Sequence, residues 1–358
     1  MKDLLIHDPT APDAARCALA CRLWQLQFSA LNLITYREKG AAELGHLWRG
    51  LLGASSQSQF LRGLEKLGID SSGPPAVVAG KYHFFTNLIG GLHMQYIEES
   101  QSRVWNRNLG PMWAFPGLSM LSIPSTIRRE IMGIWHPNDG ALLGSARLGW
   151  VITKTMTEGH PYDEGYFFEY PYDLRTDERV RYEVAGRTPE CIVSEQPKLD
   201  AILWPQARVL KARRRYVGSY FKAAFESLVA RHGETVAQYL LAQSQRCLAV
   251  QFTGALMKSQ AIEGSGAAAY GAFVSSLLTA CEQDHEIVTS TSSHIRMHVS
   301  PHLQPFDDEL REETRRSHFE FFTTAARVIN GRLSVTRQPA GKTPFEIWDI
   351  RDTDVWQW

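Results

Sequence analysis

The sequence predicts an α+β protein, with helical layers packed on antiparallel sheet in an order that suggests two related halves. Three observations lead there. Segments with apolar residues at helical spacing cluster near the start and again after residue 205. Segments of period two, bounded by turn residues, follow them in pairs. The order of long helix, glycine and hairpin occurs twice, in "FFTNLIGGLHMQYIEES…RVW" and "FFTTAARVINGRLSVTRQ…FEIW". The 358 residues suit two domains or one large one. The division expected is 1–173 for helices plus an aromatic-rich sheet, 174–205 for a linker, and 206–358 for helices plus C-terminal strands.

In order, residues 13–37 place Leu19, Leu23, Leu26 and Ala30 on one helical face. "AAELGHLWRGLL" and "SQFLRGLEKLG" are the next helices, with Gly68 a stop, and "AVVAGKYHFFTNLI" starts at Pro75. "LHMQYIEES" and "RVWNRN" then read as a hairpin. "PSTIRREIMGIW" is a short helix with a Ser125 cap signal and with Arg128 and Arg129 on its solvent side. "RLGWVITKTMTEG" and "GYFFEYPYD" are paired strands, and the polar, proline-broken stretch after Leu174 is the linker. Helices return in "ARVLKARRRYVGSYFKAAFESLVARHG", "ETVAQYLLAQSQRCLAVQFTGALMKSQ" and "GAAAYGAFVSSLLTACEQD". "HEIVTSTSSHIRMHVS" reads as one strand rich in β-branched residues. "FDDELREETRRSHFEFFTTAARVIN" is a helix with acids in its first turn, before the strands "RLSVTRQ" and "FEIWDIRD".

Composition excludes several classes. With 38 basic and 38 acidic side chains, nothing favours nucleic acid or an anionic membrane surface as partner. No stretch approaches the roughly 20 apolar residues of a membrane span, and the N-terminus lacks an apolar signal core. A cytoplasmic protein is expected. The five cysteines form no Cys-x-x-Cys pair, which argues against a zinc ribbon or redox dithiol. "EGSGAAAYG" follows a helix, so it reads as a helix–helix turn rather than a phosphate loop.

Two constellations could carry chemistry. In "SSHIRMHVSPH" a strand would turn Ile295, Met297 and Val299 to the core and His294, Arg296 and His298 to the other face. Arg296 could fork onto a substrate carboxylate while His294 or His298 moves a proton. An Arg between the two imidazoles opposes a metal, and Pro301 takes His302 out of the set. A plain solvated sheet face fits the same pattern. The second constellation joins "IWHPNDG" to "EGHPYDEGYFFEY". There His136, Asp139, His160, Asp163, Glu164 and Glu169 lie among Trp135, Trp150, Tyr162, Tyr166 and Tyr170. Carboxylates beside rings can act as acid or base, but both segments also look like turns. Glu169 interrupts an apolar strand and needs a partner, which Arg147 or Lys154 could supply.

A family resemblance follows from "VTRQPAGKTPFEIW" after its long helix. It resembles the C-terminal signature of L-2-amino-thiazoline-4-carboxylate hydrolase-like proteins, which share a layout of helices and Gly-led hairpin with 4-vinyl reductase-like domains. Arg337, Gly341 and Phe345 carry the likeness, over about a tenth of the chain. The family pattern has a cysteine shortly before that Phe, where this chain has Pro344. The resemblance implies hydrolysis of a small cyclic substrate.

Together these readings predict a metal-independent hydrolase or lyase, without cofactor, acting on a small carboxylate-bearing metabolite. Arg296 would hold the carboxylate, His294 or His298 would be the base, and Asp163, Glu164 or Glu169 would orient it or serve as the acid. His136 belongs to the candidate catalytic set, and Trp135, Trp150 and Tyr166 would line the pocket. The alternatives are a non-catalytic small-molecule sensor or carrier and a protein-interaction scaffold.

Overall fold

The computed structural model describes residues 5–6, 10–53, 56–110, 123–184, 187, 189–306, 311–341 and 343–357. It is α+β, as the patterning predicts. The chain sorts into two compact units, one built on Thr35–Tyr216 and the other on Thr10–Ile34 with Val217–Trp358. The boundaries fall inside two helices, α1 (Pro12–Lys39) and α7 (Gln206–His232), and not in 174–205. Among the described residues, no helix is long and apolar enough to cross a membrane.

The first unit continues with α2 (Ala41–Gly53), α3 (Ser56–Leu67) and α4 (Pro75–Ile89). The hairpin β1 (His93–Ser100) and β2 (Arg103–Gly110) follows. Next come α5 (Ser125–Trp135), α6 (Pro137–Leu142), β3 (Leu148–Lys154), β4 (Asp163–Glu169) and the short β5 (Val180–Tyr182). The sheet order is β1-β2-β4-β3-β5, antiparallel except for β3 with β5. The expected linker is therefore part of this unit. Beyond β5, the Gln196 amide accepts from the Tyr96 N–H at 2.8 Å and donates to its carbonyl at 2.7 Å, which fastens the edge strand β1.

The second unit holds α8 (Glu234–Ser259), α9 (Ala267–Ala280) and the hairpin β6 (His285–Ser290) and β7 (His294–Val299). The single strand read from "HEIVTSTSSHIRMHVS" is thus two, turning at Thr291. Then come α10 (Glu312–Ile329), β8 (Leu333–Gln338) and β9 (Glu346–Asp352), in a sheet ordered β6-β7-β9-β8. On β7, Ile295, Met297 and Val299 are buried, as the alternation predicts.

The two units repeat one design: helix, hairpin, helix, hairpin, with the second hairpin inserting its later strand beside the first hairpin's later strand. Strand β1 matches β6, β2 matches β7, β4 matches β9 and β3 matches β8. Helix packing confirms the register. A Cβ on Gly80 of α4 would lie 2.4 Å from Val104, and one on Gly271 of α9 would lie 2.7 Å from Ile295, at the same chain spacing. Only glycine lets each helix approach its hairpin so closely. A buried carboxylate opens β4 and β9 alike, Asp163 and Glu346, and each pairs with the fourth residue of the preceding helix segment, Arg128 or Arg315. Arg107 lies over the Tyr162 ring at 5.3 Å, and at the matching place His298 stacks on Phe345 at 3.7 Å. Finally, positive-φ glycines, Gly40 and Gly233, join α1 to α2 and α7 to α8.

This register corrects the repeat read from sequence. The two Phe-Phe-Thr segments lie on α4 and α10, which are not equivalent helices, and Trp105 corresponds to Arg296 rather than to Trp348. Two local expectations also change. Pro124 is the cap residue of α5, with no side-chain cap bond from Ser125. Arg128 faces inward to Asp163, because that buried carboxylate needs a cation; Arg129 alone is outward, paired with Glu158.

Candidate active site

Between the first unit's helices and its sheet lies a polar cluster inside an aromatic core. It begins on α4, whose buried face is apolar or aromatic apart from His83, 5% exposed. His83 Nε2 lies 2.7 Å from Oδ2 of Asp139, a residue of α6 with no exposure at all. His83 stacks on His136 at 4.4 Å, and His136 stacks on Trp150 at 4.2 Å. Phe167 packs against both imidazoles, at 5.4 and 5.5 Å, and Trp135 stands edge-on to His83 at 6.3 Å.

His136 occupies the break between α5 and α6. Pro137 follows it and cannot continue the hydrogen-bond ladder. Its Nδ1 is 3.0 Å from the Met132 carbonyl, which can only accept, so Nδ1 carries the proton and Nε2 is the bare nitrogen. Burial lowers His83 to about 3. It lowers His136 to about 3 as well, with repulsion from His83 and Arg128 adding to the effect. Burial raises Asp139 well above the usual carboxylate range, opposed by attraction to His136. The cost of burying both charges exceeds their attraction. We therefore describe the pair as neutral, with a protonated Asp139 donating to His83 Nε2. Three buried atoms here have no protein partner: Asp139 Oδ1, Trp135 Nε1 and Trp150 Nε1.

The fold does not require this cluster. By the repeat register, His83 corresponds to Val274, His136 to Thr323, Asp139 to Ala326 and Trp150 to Val335. Val274 and Ala326 are fully buried, and α10 runs unbroken where the first unit breaks at His136. The volumes also trade. Trp150 lies over Gly165, where a Cβ would meet it at 2.3 Å, while the second unit has Trp348 at the glycine position and Val335 at the tryptophan position. The same architecture thus stands with Val274 and Ala326 buried in place of His83 and Asp139, and a partly buried Thr323 in place of His136.

The structure separates the residues singled out from sequence. His136, Trp135, Trp150 and Asp163 lie on the helix face of the first sheet. Asp163 is held by Arg128 and by the Met156 N–H at 2.9 Å. Glu164 and Tyr166 point to the opposite face. Glu164 is fully buried, bound by Arg107, by Lys154 at 3.1 Å and by Thr153 at 2.9 Å. Glu169 does take Arg147 as partner, at 2.8 Å. Each of these carboxylates is thus committed to a structural cation.

His294, Arg296 and His298 belong to the second unit, on the outer face of its sheet. Arg296 donates from Nε and Nη2 to Asp349, both at 3.1 Å, and His294 Nε2 is 2.7 Å from the same carboxylate. Burial pushes Asp349 up, but its bonds to Arg296 and His294 prevail and hold it at about 2. The carboxylate that Arg296 grips is therefore the protein's own. Sequence reasoning missed His83, and it placed Asp139 in the second constellation without giving it a catalytic role. The available signal was one histidine inside a mostly apolar helix.

Among the described residues, no group of three or more His, Cys, Asp or Glu is placed to hold a metal ion. Compared with known proteins, the chain matches no family model, no curated protein and no solved structure.

Proposed function

We propose that this protein is an acid–base enzyme, a hydrolase or lyase acting on a small carboxylate-bearing metabolite, with its site at His83, His136 and Asp139. The observation that supports this most is that the second unit replaces the ionisable cluster at the matching positions with Val274, Thr323 and Ala326, none of which is ionisable. Buried ionisable groups that the fold does not need cost stability and are kept where chemistry uses them. His136 Nε2 is unprotonated at neutral pH and serves as the base; Asp139 holds a proton and serves as the acid. His83 positions Asp139. Arg128 lies close enough to His136 to disfavour its protonation, while its guanidinium stays paired with Asp163.

The test is a screen of small acids and cyclic amides, with products read by mass spectrometry. Wild-type protein converts at least one compound, and His136→Ala, still folded, does not. A His136→Ala variant that keeps full turnover would overturn the assignment.

A further inference from the structure

We propose that the outer face of the first sheet carries a second small-molecule site, and that its ligand is a zwitterion of amino-acid size. The site is a cleft of about 240 Å³, on the opposite face from the acid–base cluster. That volume lies below the roughly 300–1,000 Å³ of drug-sized pockets, so a ligand of few heavy atoms fits.

The floor is Trp105 and Tyr166, tilted rings 4.5 Å apart and both nearly buried. Two carboxylates stand at the walls, each anchored through one oxygen. Trp105 Nε1 donates to Glu99 Oε2 at 2.7 Å, and the Tyr166 hydroxyl donates to Glu183 Oε2 at 3.0 Å. Among the described residues, Glu99 Oε1 takes one long 3.4 Å bond, from the exposed Arg187. The Arg103 guanidinium carbon lies over the Tyr166 ring, at 5.1 Å, and the Phe168 ring, at 4.7 Å. Its Nε is buried without a hydrogen-bond partner, and its nearest carboxylate oxygen, on Glu99, is 3.9 Å away.

A guanidinium held over two rings, with a donor unused, is prepared for a carboxylate. Two partly used carboxylates over an aromatic floor are prepared for an ammonium. The second unit shows the alternative. There the matching residues are His294 for Arg103, Arg296 for Trp105 and Asp349 for Tyr166, and they satisfy one another. The first unit has uncharged rings, Trp105 and Tyr166, where the second has that Arg and Asp, and leaves Arg103 without such a partner.

Calorimetric titration of the full chain with each of the twenty standard L-amino acids tests this. At least one should bind. Its carboxamide, which lacks the carboxylate, and its N-acetyl derivative, which lacks the ammonium, should each bind about tenfold or more weakly, because a buried polar group loses its match. Arg103→Gln should abolish the preference for the acid over the amide, and Glu183→Gln should weaken the ammonium's contribution. No binding by any amino acid at about 10 mM, weaker than any useful affinity, would overturn the proposal. So would equal binding of the three derivatives by the wild-type protein, a comparison that needs no variant to fold. Loss of turnover in His136→Ala leaves this result untouched, so the two sites fail separately.

Discussion

Exchanging His83 and Asp139 for their second-unit counterparts gives the sharpest test of whether the cluster is structural. Asp139→Ala alone leaves His83 Nε2 buried without its donor. His83→Val alone leaves a fully buried carboxyl without its acceptor. An unsatisfied buried polar group costs about 1–3 kcal/mol, so each single change should destabilise by that much. The double variant removes both needs together and restores the Val274–Ala326 solution of the second unit. A small cavity from His→Val remains, so its net cost should be about 1–2 kcal/mol, well below the sum of the singles. Urea unfolding at pH 7, run as a double-mutant cycle, reads this as a coupling of about 1–3 kcal/mol. Strict additivity would refute the neutral hydrogen-bonded pair. A double variant that fails to fold would refute the claim that the architecture tolerates an apolar core here.

Further outcomes follow from the same geometry. His318 is held near 3 in the folded state by burial, against about 6.5 unfolded. The unfolded chain therefore binds more protons, and stability falls as pH drops through that window. Between pH 6.5 and 5 the loss from His318 should be about 2 kcal/mol; the proton that Asp139 keeps in the folded state offsets the matching loss at His83, so His318→Gln, and not His83→Val, should flatten the acid limb of a stability–pH curve. Arg128→Met leaves Asp163 buried and uncompensated, and should cost about 3–5 kcal/mol by chemical denaturation; adding Asp163→Leu should recover most of it. Gly165→Ala should destabilise by about 1–3 kcal/mol, because its Cβ meets the Trp150 ring. His298→Ala should retain turnover, since its ring is stacked on Phe345 in the second unit; inactivity would return the active site to the second unit's outer face.

Periodicity made the elements legible, and alternation on β7 correctly divided core from surface. Long-range pairing was not legible. Phe-Phe-Thr suggested a repeat because it is a conspicuous string, but the real register rests on Gly80 and Gly271, whose meaning depends on what each helix touches. Arg128 looked solvent-facing because its partner, Asp163, is 35 residues away. The three histidines of "SSHIRMHVSPH" drew attention through local spacing, although Asp349, which organises two of that strand's side chains, lies on β9. His83 and Asp139 join His136 only when α4, α5 and α6 pack together, so the local stretch that singled out His136 did not place the three in one site. Trp135 and Trp150 were found because large rings beside histidines stand out even without a fold.

The central claim is that the first unit's polar cluster performs chemistry and the second unit's matching core does not. Its most direct test is the triple exchange His83→Val, His136→Thr and Asp139→Ala, which copies the second unit's residues. Wild-type and variant are compared for consumption of the same panel of small acids and cyclic amides. The account predicts a folded variant that consumes none of the compounds the wild-type protein converts. A folded triple variant that converts them at the wild-type rate would contradict it.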